Sequence, residues 1–212
     1  GGVPAEKLTV EGRPLEKLAV EIAVPNGAAE EQIALNSLLA ADEASIDGFE
    51  YRLAGPQGLS NPLLIGFAKH AAIGETKPNS DAAQAHRLSL PCAVAGQFFP
   101  RGDKDWFAFD AKKGEVFWFE VISQRHGLPT DPQLLVQRVT KNDKGEENVG
   151  DLQEVDDVAA QGQPLFSFDV RSDDPAYRFT APDDGQYRLL LSDLYQRGDP
   201  RYVYRLIVRP ET

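Results

Sequence analysis

Methionine is absent from this chain, cysteine occurs once and histidine three times. A lone Cys92 cannot close an internal disulfide, so the fold must rest on packing, and cysteine usage leaves the compartment open. Its apolar setting, Leu90-Pro91-Cys92-Ala93-Val94, predicts a buried, inert thiol and not a nucleophile. His70, His86 and His126 lie too far apart for the common zinc spacings of two histidines on one helix or strand. No apolar run approaches the roughly 18 residues of a membrane-spanning helix, and no basic start with an apolar core marks a signal peptide. The missing methionine, with Gly1-Gly2 at the start, predicts a piece excised from a longer protein. Basic residues are also scarce, 22 against 33 acidic, for a net charge of −11. That argues against nucleic acid, whose binding needs a basic surface to release counterions, and against anionic membranes. An acidic surface serves solubility in most proteins and a divalent cation in some.

What is present is strand-like sequence between turns. The hydrophobic fraction, 42%, is that of a globular chain. Lys17–Val24 alternates apolar and polar residues up to the turn Pro25-Asn26-Gly27, and Phe49–Leu53 alternates after Asp47-Gly48. Leu63–Phe67 reads as a strand after the turn Gly55-Pro56-Gln57-Gly58, and Gln32–Leu35 as a weaker one. Ser37–Ala44 reads either as a short helix or as strand and loop. The stretch 74–81 contains no large apolar residue and suits a linker.

Beyond it the strand signal strengthens. Trp106–Phe109 and Glu115–Val121 flank Lys112-Lys113-Gly114 and predict an aromatic-rich β-hairpin. Leu134–Val139, Tyr177–Phe179, Tyr187–Leu191 and Tyr202–Val208 complete the set. The spacing predicts an all-β protein of two consecutive β-sandwich modules, the second a jelly-roll-like sandwich of about eight strands. The predicted division is a first β module over 1–73, the linker 74–81 and the sandwich 82–212. Asp183-Asp184-Gly185-Gln186-Tyr187 has the spacing of a tyrosine corner, with a structural role for Asp183, Gly185 and Tyr187.

These elements, in order, resemble the bacterial pre-peptidase C-terminal domain over roughly 82–210. The match rests on Leu88-Ser89-Leu90-Pro91 with Val94-Ala95-Gly96, Gly102-Asp103-Lys104-Asp105-Trp106-Phe107-Ala108-Phe109, Ala111-Lys112-Lys113-Gly114-Glu115, Thr130-Asp131-Pro132-Gln133-Leu134, Asp183–Tyr187 and Tyr204-Arg205-Leu206. Upstream, Asp47–Leu53 and Gly55–Pro62 resemble the end of a transcription-factor-immunoglobulin-like module, which implies that 1–73 is an immunoglobulin-like module, divergent or truncated. The resemblance implies a non-catalytic accessory module of a large exported bacterial protein, serving adhesion, substrate attachment or domain spacing. Its implied setting is extracytoplasmic. Its implied partners are other domains of the same parent, with extracellular polysaccharide or fibrous protein as candidate ligands and no membrane insertion. A calcium-stabilised spacer without a ligand of its own is the alternative, and a hydrolase the remote one.

The resemblance also implies a candidate calcium site of Glu75, Asn79, Asp103 and Asp105, since calcium takes six to eight oxygens from separate segments. In extended chain Asp103 and Asp105 face the same way. Lys77, however, stands where collagenase-type members carry a glutamate, and an ammonium beside a divalent cation is repulsive. Ser80 is a poorer ligand than the Asp or Asn expected there. The competing reading makes these acids turn caps. The pairs Asp156-Asp157, Asp173-Asp174 and Asp183-Asp184 sit beside turn residues, and local backbone bonding is expected of each. Trp106 and Trp118 are candidate ligand-stacking residues if exposed on a sheet face, and otherwise pack under loops. Ser60 lacks a nucleophile elbow, and Ser123 with His126 gives no reason for a triad.

Overall fold

Two-residue alternation dictates the architecture. The computed structural model, which describes residues 5–10, 12–24, 46–157 and 172–211, contains sixteen β-strands and no α-helix among them. The chain divides into two compact units, Gly1–Leu38 with Gly48–Gly66, and Leu39–Asp47 with Phe67–Thr212.

In the first unit β1 (Glu6–Val10) and β2 (Arg13–Lys17) form a hairpin in which Glu6 faces Lys17. β3 (Gly48–Tyr51) lies antiparallel to β6 (Leu63–Gly66), and β4 (Ala54–Gly55) pairs with β5 (Gly58–Leu59) across Pro56-Gln57. The strand expected over Lys17–Val24 is displaced: pairing ends at Lys17, and 18–24 has no strand partner among the described residues. Alternation supplies a face, but the register with β1 decides which residues are paired. The expected elements at Gln32–Leu35 and Ser37–Ala44 fall outside the described residues.

The second unit is a β-sandwich. Its strands are β7 (Ala71–Gly74), β8 (His86–Arg87), β9 (Cys92–Gln97), β10 (Lys104–Ala111), β11 (Val116–Ile122), β12 (Pro132–Lys141), β13 (Glu147–Val155), β14 (Ala176–Thr180), β15 (Gly185–Asp193) and β16 (Val203–Pro210). One sheet runs β13-β12-β15-β10-β8 and the other β14-β11-β16-β9-β7. Pairing is antiparallel except at two short edges, where β8 lies parallel to β10 and β7 parallel to β9. The remaining strands, β9 to β16, are the long ones.

The inward faces carry the core. Phe107 and Phe109 of β10, Phe117 and Phe119 of β11, Phe179, Tyr187, Leu189, Tyr204 and Leu206 are all buried. Cys92 is buried among them, and burial raises its thiol pKa, so the predicted inert setting is what the fold provides. Between β14 and β15 the chain changes sheets, and there the Tyr187 hydroxyl donates to the Asp183 carbonyl at 2.6 Å. Gly185, with φ +145°, makes the approach in a region that side chains avoid.

One expectation about the aromatic strands is corrected. β10 and β11 are not a hairpin: β10 pairs with β15 and β8, while β11 pairs with β14 and β16. Lys112-Lys113-Gly114 is an arch from one sheet to the other, held by the Lys113 amide on Asp184 and the Gly114 amide on the Ala181 carbonyl. A hairpin and an arch share the same local turn residues and alternation. Only the apolar faces, which must oppose each other to be buried, select the arch.

Several buried carboxylates organise loops. Asp193 accepts the Asp131, Tyr195 and Arg197 amides and the Arg197 guanidinium. Asp174 accepts the amides of Ser123, Gln124 and Arg125 and the Arg125 guanidinium. Asp156 accepts the amide of Asp157, the local bonding expected of an acidic pair. Asp174 departs from that expectation, because its partners lie on a distant segment.

Candidate functional site

The segment between β7 and β8 is stitched to both sheets. The Glu75 amide donates to the Ala95 carbonyl of β9, and the Trp106 amide of β10 donates to the Asn79 carbonyl, each at 2.8 Å. Asp81 caps the 3-10 turn Ala82–Gln84 by accepting the Ala83 amide. This route carries Glu75 to the approach of β10, where Asp105 takes an inward position and Asp103 follows two residues before it. Ligating oxygens of Glu75, Asp103 and Asp105 lie within 4.8 Å of one another. The structure thus brings three of the four predicted ligands together.

At the centre of the three sits Lys77. Its ammonium donates to Asp103 Oδ2 at 2.6 Å and to the Phe99 carbonyl at 2.8 Å. Glu75 Oε1 lies 3.3 Å and Asp105 Oδ1 3.9 Å from the same nitrogen. Burial by itself lowers the Lys77 pKa, but the Asp103 hydrogen bond and the charges of Asp105, Glu75 and Asp103 outweigh it, and the net shift is upward. Asp103 also accepts the Phe99 and Lys104 amides and the Ser80 hydroxyl. Asn79 is fully buried, and neither of its side-chain polar atoms has a hydrogen-bond partner among the described residues.

Tyr204 is the residue that sequence reasoning missed. It is buried on β16, and its hydroxyl donates to Asp105 Oδ2 at 2.8 Å. Gly96, opposite it in register, makes the room, because a Cβ there falls inside the tyrosine ring. The weak signal was a glycine in a strand, which marks close approach.

No protein-family model matches the chain, and no curated protein matches it. Solved structures resemble it. The pre-peptidase C-terminal domain of collagenase from Bacillus anthracis is 14% identical, with a TM-score of 0.40, over 63% of this chain and 99% of that one. PliG of Salmonella Typhimurium, a periplasmic inhibitor of g-type lysozyme, is 13% identical with a TM-score of 0.32, over 68% of this chain and 100% of that one. CorA, a surface-associated copper-binding protein of Methylomicrobium album BG8, is 12% identical with a TM-score of 0.32, over 67% and 98%. These likenesses are of chain course and carry no argument about ligand or activity.

The two tryptophans do not form one surface. Trp106 points outward from β10 and Trp118 outward from β11, so they lie on opposite outer faces, each half-buried. Trp118 donates its indole N–H to Glu211 at 3.2 Å, and the Arg209 guanidinium lies 5.9 Å from its ring centre. Ser123 also serves structure. The Ser123 hydroxyl donates to the Val203 carbonyl and contacts Thr130, and Asp174 is engaged by backbone amides.

Burial pushes the Asp105 pKa up to about 8; a hydrogen bond with Glu75 and the charges of Glu75 and Asp103 add to this, and the Tyr204 bond opposes it. An acid raised in the folded state holds a native proton that the unfolded chain releases. Stability therefore falls as pH climbs from the ordinary 3.8 toward 8 and is level above. Burial lowers His126 to about 4, which removes stability as pH falls below 6.5, and burial with neighbouring Asp173 raises Asp131 to about 6. Between 6.5 and 8 Asp105 alone of these three titrates. Thermal melts across that window are expected to show a loss on the order of 1–2 kcal/mol. Asp105→Asn, which stays neutral and can still accept from Tyr204, is expected to flatten it. A wild-type chain with no slope there contradicts the assignment.

Proposed function

We propose that the second unit is a non-catalytic attachment and spacing module of an exported bacterial protein. The observation that carries this reading is the stitching of residues 71–81. A parallel edge strand and a charged clasp fasten the start of this unit to its own sandwich. A spacer needs an ordered entry, whereas a flexible tether does not. The order of sequence motifs supports the accessory role and the extracytoplasmic setting. The engagement of Ser123 and Asp174 in loop bonding argues against hydrolytic chemistry at that cluster.

Attachment and pure spacing are separated by sedimentation of the chain with insoluble polysaccharides and fibrous proteins. Attachment predicts saturable co-sedimentation that weakens with Trp106→Ala or Trp118→Ala; because these residues lie on opposite faces, only one of the two variants is expected to matter. Uniform absence of binding leaves spacing. A spacer held together by calcium has the convergence of Glu75, Asp103 and Asp105 in its favour, and a calcium titration separates it from the metal-free form.

A further inference from the structure

The carboxyl cage and its occupant do not fit a bound calcium ion together. Calcium needs six to eight oxygens at about 2.3–2.6 Å and the centre of the cage for itself. That centre is held by an ammonium group 2.6 Å from Asp103 Oδ2. A lysine ammonium has three N–H donors. Two are engaged by Asp103 and the Phe99 carbonyl, and the third is left for Glu75 Oε1, 3.3 Å away.

We infer that Lys77 is a covalently tethered replacement for a divalent cation, so that the clasp closes without metal and a latent calcium site appears when the ammonium is removed. The inference stands apart from whether the sandwich attaches to any ligand. Three structural facts support it. Asp103, Asp105 and Glu75 come from two separate segments and are almost fully buried at their carboxyl ends. Carboxylates buried this close repel one another when ionised, and that repulsion is relieved by a proton, as on Asp105, and by a cation between them. Asn79, two residues along from Lys77, is fully buried, with a side-chain oxygen that no donor among the described residues occupies. Finally, the lysine reaches the cage from the solvent side, with 42% of its side chain exposed. Shortening it therefore opens a path for an ion without breaking the core.

A tethered cation differs from a bound one in its consequences. Calcium stabilises by mass action, so its contribution rises with free calcium and vanishes in chelator. An ammonium fixed to the chain contributes at any calcium level. Lys77 places that contribution beyond the reach of the surrounding medium.

The test is thermal melting of the full chain, in chelator and in millimolar calcium, with calorimetric calcium titration alongside. Wild type is expected to melt at the same temperature in both and to take up no calcium. Lys77→Met, which keeps the apolar stem, is expected to melt several degrees lower in chelator, to recover much of that loss in calcium, and to bind calcium with one site. Lys77→Glu is expected to show a larger calcium response. Lys77→Arg, which retains a cation, is expected to remain insensitive. A variant that folds only when calcium is present supports the inference equally. Wild-type stabilisation by calcium overturns it, as does a Lys77→Met chain whose melting temperature and calorimetry are unmoved by calcium. Failure of both Lys77→Met and Lys77→Glu to fold in either medium also overturns it, because calcium then cannot stand in for the ammonium.

Discussion

Asp174→Ala is expected to lower the unfolding free energy of the sandwich by about 3–5 kcal/mol. Asp174 is fully buried, and its two oxygens accept three consecutive amides, from Ser123, Gln124 and Arg125, at 2.7 to 3.1 Å. Its Oδ2 also accepts Arg125 Nε at 2.9 Å. Alanine leaves several donors in a buried turn with no acceptor, and each orphaned polar group costs about 1–3 kcal/mol. Arg125 retains Glu120 and the Val121 carbonyl, so its charge is only partly stranded. Asp174→Asn keeps an acceptor and the volume, and is expected to fall between wild type and alanine. Urea denaturation followed by tryptophan fluorescence reads this unit alone, because both tryptophans of the chain, Trp106 and Trp118, belong to it. A loss below about 1 kcal/mol shows that the turn relaxes to find other acceptors.

Phe109→Ala is expected to cost a similar amount, about 3–5 kcal/mol, by a different mechanism. Phe109 projects from β10 into the space between the sheets and is 1% exposed. It meets Phe117, Phe119 and Phe179 of the opposite sheet edge-on, with ring centres 5.6, 5.6 and 6.3 Å away, and stacks on Tyr187 at 5.6 Å. Truncation removes the ring around which four others are arranged and leaves a cavity that two sheets, each tied by its own ladder, cannot close. Phe109→Leu fills part of that volume and is expected to recover about half the loss. The same denaturation experiment checks it, and equal stability of the alanine and leucine variants contradicts the cavity account. Asp174→Ala and Phe109→Ala share no partners, so their effects are expected to add.

Much of the sandwich was legible because strand alternation is a local property. Phe107 and Phe109 face inward with Trp106 outward, and Phe117 and Phe119 face inward with Trp118 outward, as the two-residue period requires. The Asp183–Tyr187 corner was legible for the same reason, since donor and acceptor lie within one turn. The candidate site was partly legible. Asp103 and Asp105 share a side because they are two residues apart, and Glu75, Lys77 and Asn79 stood in the segment leading to them.

What the sequence by itself determined is the all-β class and the inward and outward residues of most strands; the acids of the clasp were singled out only through the family resemblance. Tertiary structure alone decided three things. It set β10 and β11 in opposite sheets, because their pairing partners lie far along the chain, as with Phe107 and Leu189 for β10 and Phe117 and Pro210 for β11. It delivered the Tyr204 hydroxyl from β16 of one sheet to Asp105 on β10 of the other, past the Gly96 that faces it in register. And it put the Lys77 ammonium inside the carboxyl cage and not beside it. In sequence a lysine among acids reads as a charge that repels a metal. The fold makes it the cation, because burying three carboxyl groups together leaves one favourable position, and the lysine side chain is long enough to reach it.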